Sequence, residues 1–62
     1  MQTVPVLLRL PTVMKITGLA RSTIYKLMDQ REFPQQVKLS RRAVAWPQAE
    51  IQTWVETRSR VQ

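Results

Sequence analysis

A chain of 62 residues has room for one domain with a marginal core and none for a large catalytic cleft. It carries no cysteine, which removes disulfides and thiolate metal sites, and no histidine, which removes the commonest general base and any Ser-His-Asp or Cys-His relay. No enzyme activity, small-molecule substrate, metal or cofactor is therefore expected, and a reducing compartment suits the composition.

The chain holds 10 Lys and Arg against 4 Asp and Glu, a formal charge of +6, and the whole excess lies before Pro47. Arg9, Lys15, Arg21, Lys26, Arg31, Lys38, Arg41 and Arg42 face only Asp29 and Glu32, whereas Arg58 and Arg60 cancel Glu50 and Glu56. Positive charge concentrated on one part of so small a body is what binding to a polyanion requires, since neutralised phosphates release counterions. On charge alone, a protein that is simply basic fits equally well.

In chain order, Val4-Pro5-Val6-Leu7-Leu8 is apolar but broken by Pro5 and stopped by Arg9, too short for a signal-peptide core or a spanning helix. A soluble cytoplasmic protein without a membrane partner is expected. Leu8-Arg9-Leu10 alternates like a short strand. Pro11 has the fixed φ of a first helical position, and Val13 and Ile16 share one apolar face of a short helix. Gly18 is placed to take the left-handed conformation that ends this helix and turns the chain. A second helix is predicted over Arg21 to Gln30, with Ile24, Leu27 and Met28 as a buried stripe, stopping before Pro34. Helix, glycine turn and helix within roughly twenty residues make a helix-turn-helix unit.

Beyond Pro34, Val37-Lys38-Leu39 and Ala43-Val44-Ala45-Trp46 read as a two-stranded hairpin turned at Ser40-Arg41-Arg42. A lone hairpin is barely stable, so Val37, Leu39, Val44 or Trp46 must pack against the helices. Pro47 starts a third helix reaching about Arg58, with Ile51, Trp54 and Val55 inward. Its balanced charges assign it to the core and to self-association, not to DNA. Arg60 to Gln62 are expected to fray. The predicted architecture is mainly α with a small β-hairpin, a winged helix-turn-helix of three helices and a two-stranded wing. Residues 1–62 form one domain, ordered over about 8–58.

At about 100° per residue, the side of the second helix opposite Ile24, Leu27 and Met28 presents Ser22, Lys26 and Asp29, flanked by Thr23 and Tyr25. Hydroxyls serve phosphates or base edges, Tyr25 can donate to phosphate, and Lys26 can neutralise a phosphate or reach a guanine edge. Asp29 sits awkwardly against phosphate, so the N-terminal half of the helix is expected to enter the groove. Arg21 in the first turn opposes the helix dipole by roughly 0.3 to 1 kcal/mol, a sign that a nearby phosphate reverses. Ordinary structural uses exist for each residue. Arg21 can cover the core rim with its stem, Ser22 and Thr23 can bond free amides, and Tyr25 can pack beside Leu19 or the wing. Lys38, Arg41 and Arg42 can guard a hairpin edge against aggregation, but phosphate or minor-groove contact is the favoured reading, since they lie near a second basic element. Trp46 and Trp54 are read as core and not as stacking platforms for bases.

Leu8-Arg9-Leu10-Pro11, Thr17 to Leu27 and Glu32-Phe33-Pro34 resemble the AlpA family of phage and prophage regulators, and Val37 to Ser40, Ala43 to Trp46 and Glu50-Ile51 with Trp54 extend the likeness. The Thr-Gly-Leu-x-Arg-Ser-Thr-Ile-Tyr core is far more specific than a generic helix-turn-helix pattern. The resemblance implies a winged helix-turn-helix related to the MerR and excisionase group, which regulates prophage genes or steers an integrase toward excision. It puts Arg21, Ser22, Thr23, Tyr25 and Lys26 on the recognition helix and Lys38, Arg41 and Arg42 on the wing. Ala20 departs from the family, which usually has serine there, so the helix lacks a side-chain N-cap.

The expected function is a sequence-specific regulator on double-stranded DNA. A recombination directionality factor assisting an integrase is the alternative within the class. One module buries only roughly 600 to 1,000 Å², so cooperative or multimeric binding is expected. Rival readings are nonspecific nucleic-acid association and a protein-interaction module docking on an acidic partner. The spread of basic residues over helices and hairpin argues against a membrane-surface peptide.

Overall fold

The computed structural model describes residues 4–58. In chain order these form β1 (Leu7–Leu8), α1 (Leu10–Thr17), α2 (Arg21–Asp29), β2 (Val37–Ser40), β3 (Ala43–Pro47) and α3 (Gln48–Glu56). Arg60 to Gln62, expected to fray, lie outside the described residues.

The predicted strand over Leu8-Arg9-Leu10 is corrected to Leu7–Leu8. Arg9 stays extended (φ −81°, ψ 164°), but its carbonyl already accepts from the amides of Thr12 and Val13, both at 3.1 Å, so the chain enters α1 at Leu10. Pro11 fits that first turn because its missing N–H is not needed there. Gly18 closes α1 at φ 74°, its amide donating to Met14 at 2.8 Å. Thr17 then accepts from the Leu19 amide at 3.3 Å and so helps to shape the turn into α2.

The helix predicted to Gln30 ends at Asp29, and Pro34 is not what ends it. Arg31 adopts φ 62°, the Arg31 amide donates to Met28 at 3.0 Å and the Glu32 amide to Leu27 at 2.8 Å. This is the paired bonding of a Schellman ending, with an arginine in the left-handed position that glycine normally takes.

The sheet has three strands and not the two predicted, in the order β1-β3-β2, all antiparallel. Leu7 opposes Pro47 and Leu8 opposes Trp46, and the Gln48 amide donates to Val6 at 2.8 Å. Pairing across some forty positions leaves no local periodic trace, so a short first strand was legible but its place beside β3 was not. On the other edge, Val37 opposes Ala45, Lys38 opposes Val44 and Ser40 opposes Ala43, so Leu39 is the extra residue of a bulge. The connecting Arg41-Arg42 pair has no positive φ, unlike the primed turns that match strand twist, and the bulge next to it re-aims the strand instead.

Val13, Ile24, Phe33, Trp46 and Ile51 form the buried centre, with Leu8, Leu27, Met28, Val44 and Trp54 among those packed around it. Trp46 is fully buried and its indole N–H is satisfied by the Pro34 carbonyl at 3.0 Å. Trp54 packs edge-on to Phe33 with centroids 4.8 Å apart and donates to the Glu32 carbonyl at 2.9 Å, which ties α3 to the end of α2. Two predicted core residues are corrected: Ile16 is 48% exposed and Val55 39%. Both lie on their helices' apolar faces but past the edge of the small core. Val37 and Leu39 are likewise exposed, because alternation turns one outward and the bulge displaces the other, leaving Val44 and Trp46 to seat the hairpin. The predicted third helix reaches Glu56, with Thr57 as its cap, and Arg58 folds back to donate to the Trp54 carbonyl at 3.1 Å.

Candidate nucleic-acid interface

Burial of Ile24 fixes the rotation of α2. With that side chain inward and Leu27 and Met28 half-buried beside it, Ser22, Lys26 and Asp29 stand on the outer face, and all three are exposed. Arg21 and Thr23 are exposed as well. None of Ser22, Thr23 or Lys26 makes a side-chain hydrogen bond among the described residues.

The N-terminus of α2 is chemically open. Ala20 has the extended geometry of a cap (φ −73°, ψ 159°) but no side chain to bond the first amides, and the first turn contains no acidic residue. The amides of Arg21, Ser22 and Thr23 precede the first intrahelical bond, from Ile24 to the Ala20 carbonyl at 3.1 Å. Free amides, two hydroxyls and a cation thus share one helix end.

Tyr25 occupies the flank of α2 that meets the sheet. It is half-buried, edge-on to Trp46 with centroids 6.4 Å apart, and the Arg21 guanidinium lies 5.8 Å from its ring centroid. That distance is within cation–π range, so Arg21 rests over an aromatic face and not merely over the core rim. The Tyr25 hydroxyl donates to Gln36 Oε1 at 3.4 Å. Tyr25 therefore packs on the hairpin, through Trp46 of β3.

The hairpin supplies the second basic element. Lys38 faces Val44, so it lies on the same side of the sheet as Val44 and Trp46, the side that packs on the helices. Lys38, Arg41 and Arg42 are all exposed, the arginines at the tip of the turn. Between α2 and the segment entering the hairpin lies an open cleft of ≈ 400 Å³, lined by Tyr25, Met28, Asp29, Arg31, Gln35 and Gln36. Gln35 and Gln36 were missed by sequence reasoning because they sit in an irregular stretch, with no periodicity to assign them a face. Gln35 donates to the carbonyls of Met28 at 3.2 Å and Phe33 at 3.4 Å, bracing that stretch against α2.

No helix among the described residues is long and apolar enough to cross a membrane, and no group of three or more acidic residues is placed to hold a metal ion. What fold and surface define is a small, mainly helical protein whose helix-turn-helix pair stands beside a basic hairpin, an arrangement compatible with the winged-helix class. Residues 6–59 match the family of the prophage CP4-57 regulatory protein AlpA, and the chain belongs to that family.

Two relatives sharpen the comparison. The chain is 49% identical over 51 residues to the uncharacterized protein ORF88 of Enterobacteria phage P4, a match covering 82% of this chain and 58% of that protein's length. It is 36% identical over 61 residues to the DNA-binding transcriptional activator AlpA of Escherichia coli (strain K12), a match covering 89% of this chain and 87% of that protein.

Proposed function

We propose that the protein is a sequence-specific DNA-binding regulator of prophage or mobile-element genes. Of α2, Ser22 and Lys26 on the outer face and Arg21, Thr23 and Tyr25 on its flanks enter the major groove, while Lys38, Arg41 and Arg42 engage the backbone or minor groove. The observation that carries the reading is the exposure of Ser22 and Lys26 on the side of α2 that the core does not use, with Arg21 and Thr23 exposed beside them and a basic hairpin in the same small domain. Membership of a regulatory-protein family and likeness to a DNA-binding activator support it. The lysine and the hydroxyls match base-edge and phosphate chemistry, and the open helix end and wing cations match phosphate.

The test begins with duplexes from the protein's own genomic neighbourhood and from a randomised pool. Binding is measured for the wild type and for Arg21→Ala and Lys26→Ala, with folding checked by circular dichroism. Loss of discrimination between related sites with the fold intact is the expected result. Unchanged affinity in both variants would defeat major-groove readout by α2 and leave a protein-binding role for the basic face.

A further inference from the structure

The cleft between α2 and the segment entering the hairpin contains a carboxamide whose donor side is unused among the described residues. Gln36 is half-buried in the segment leading into β2, two positions before Lys38. Its Oε1 accepts from the Tyr25 hydroxyl at 3.4 Å, and among the described residues its Nε2 donates to nothing. A carboxamide held by its oxygen turns its amino group, a two-proton donor, away from that hydroxyl. Gln36 lines the open cleft together with Tyr25, Asp29 and Arg31.

We infer that Gln36, oriented by Tyr25, donates a hydrogen bond to an acceptor atom of the bound duplex, either a base edge or a phosphate oxygen. The inference rests on the DNA-binding reading above. A duplex is rich in acceptors at this depth, since both purines offer N7, guanine O6, thymine O4 and every phosphate two oxygens. The surroundings favour a polyanion: Arg21 lies over the Tyr25 ring, and Lys38 shares the sheet face toward α2. Asp29 on the cleft rim is the opposing charge, with Arg31 also on that rim. The Tyr25 bond is long, so Gln36 is guided without being locked and can tighten onto a partner. Toward Gln36, Tyr25 acts as a positioning residue in addition to any contact of its own, its ring packed on Trp46 and its hydroxyl biasing the Gln36 amide.

The experiment uses a duplex selected by the wild-type protein from a randomised pool and an unrelated duplex of equal length. Gln36→Ala removes both functions of the amide, whereas Gln36→Glu keeps an oxygen for Tyr25 and removes the donor. Both variants are expected to weaken binding to the selected duplex by at least about fivefold, with the melting temperature of Gln36→Glu unchanged. Tyr25→Phe should give a loss that adds less than fully to that of Gln36→Ala, as for residues that are coupled. Loss confined to the selected duplex assigns a base-edge contact, and equal loss on both duplexes assigns a phosphate. Wild-type affinity in both Gln36 variants, with Lys26→Ala still impaired, overturns this inference and leaves the DNA-binding reading standing. A wild-type protein that binds neither duplex overturns both.

Discussion

Trp46 donates its indole N–H to the carbonyl of Pro34 at 3.0 Å, so the largest buried side chain also pins the segment through which α2 leads into the hairpin. The same ring packs against Tyr25 in a T-shaped arrangement. Orientation of α2 against the hairpin and stability of the core are thus coupled through one residue.

Trp46→Phe should be costly for so small a domain. It removes buried area and leaves the Pro34 carbonyl without its partner, together about 2 kcal/mol. On a chain of this size that corresponds to a fall in melting temperature of roughly 10 °C. A melting curve that overlays the wild type would show that the indole is not a keystone of the core.

Ala20→Ser should stabilise the fold. The backbone at Ala20 already has cap geometry and lacks only the hydroxyl, which is worth about 1 kcal/mol. A raised melting temperature with DNA binding retained is expected, and an unchanged or lowered one means that the helix does not start at Arg21 in solution.

The two left-handed residues should respond in opposite directions. A Cβ at Gly18 would meet nothing within 4 Å, so Gly18→Ala suffers only from φ 74°, about 1 kcal/mol of destabilisation. Arg31 already bears that strain at φ 62°, and Arg31→Gly should relieve it, stabilising by up to about 1 kcal/mol less the added entropy of the unfolded chain. Urea midpoints moving the same way for both substitutions would contradict the backbone geometry at one of them.

Arg41→Ala and Arg42→Ala should act through charge. If the tip lies on phosphates, each reduces the slope of log affinity against log salt by about one and weakens selected and unrelated duplexes alike. Both arginines are exposed in the turn, so folding stability should hold. An unaltered salt slope in the double variant removes the wing from the interface.

Local features of the chain were legible because they depend on near neighbours. The stripe of Ile24, Leu27 and Met28 set the buried face of α2 and hence the exposure of Ser22 and Lys26, Gly18 marked the turn, and Ala20 announced a missing cap. The hairpin strands followed from alternation and the polar turn between them.

What periodicity cannot carry is the choice of distant partners, which depends on shape and on the limits of a small core. Only the tertiary structure joined Leu7 and Leu8 to the far side of β3, left Ile16 and Val55 outside a core too small to cover them, and bent Arg31 into a left-handed ending. It alone brought Gln36, from a stretch without pattern, against Tyr25. The sequence by itself determined which face of α2 is free. The packing of Trp46 against Tyr25 and Pro34 decided how that face is set beside the hairpin, because such contacts form between residues that no repeat along the chain relates.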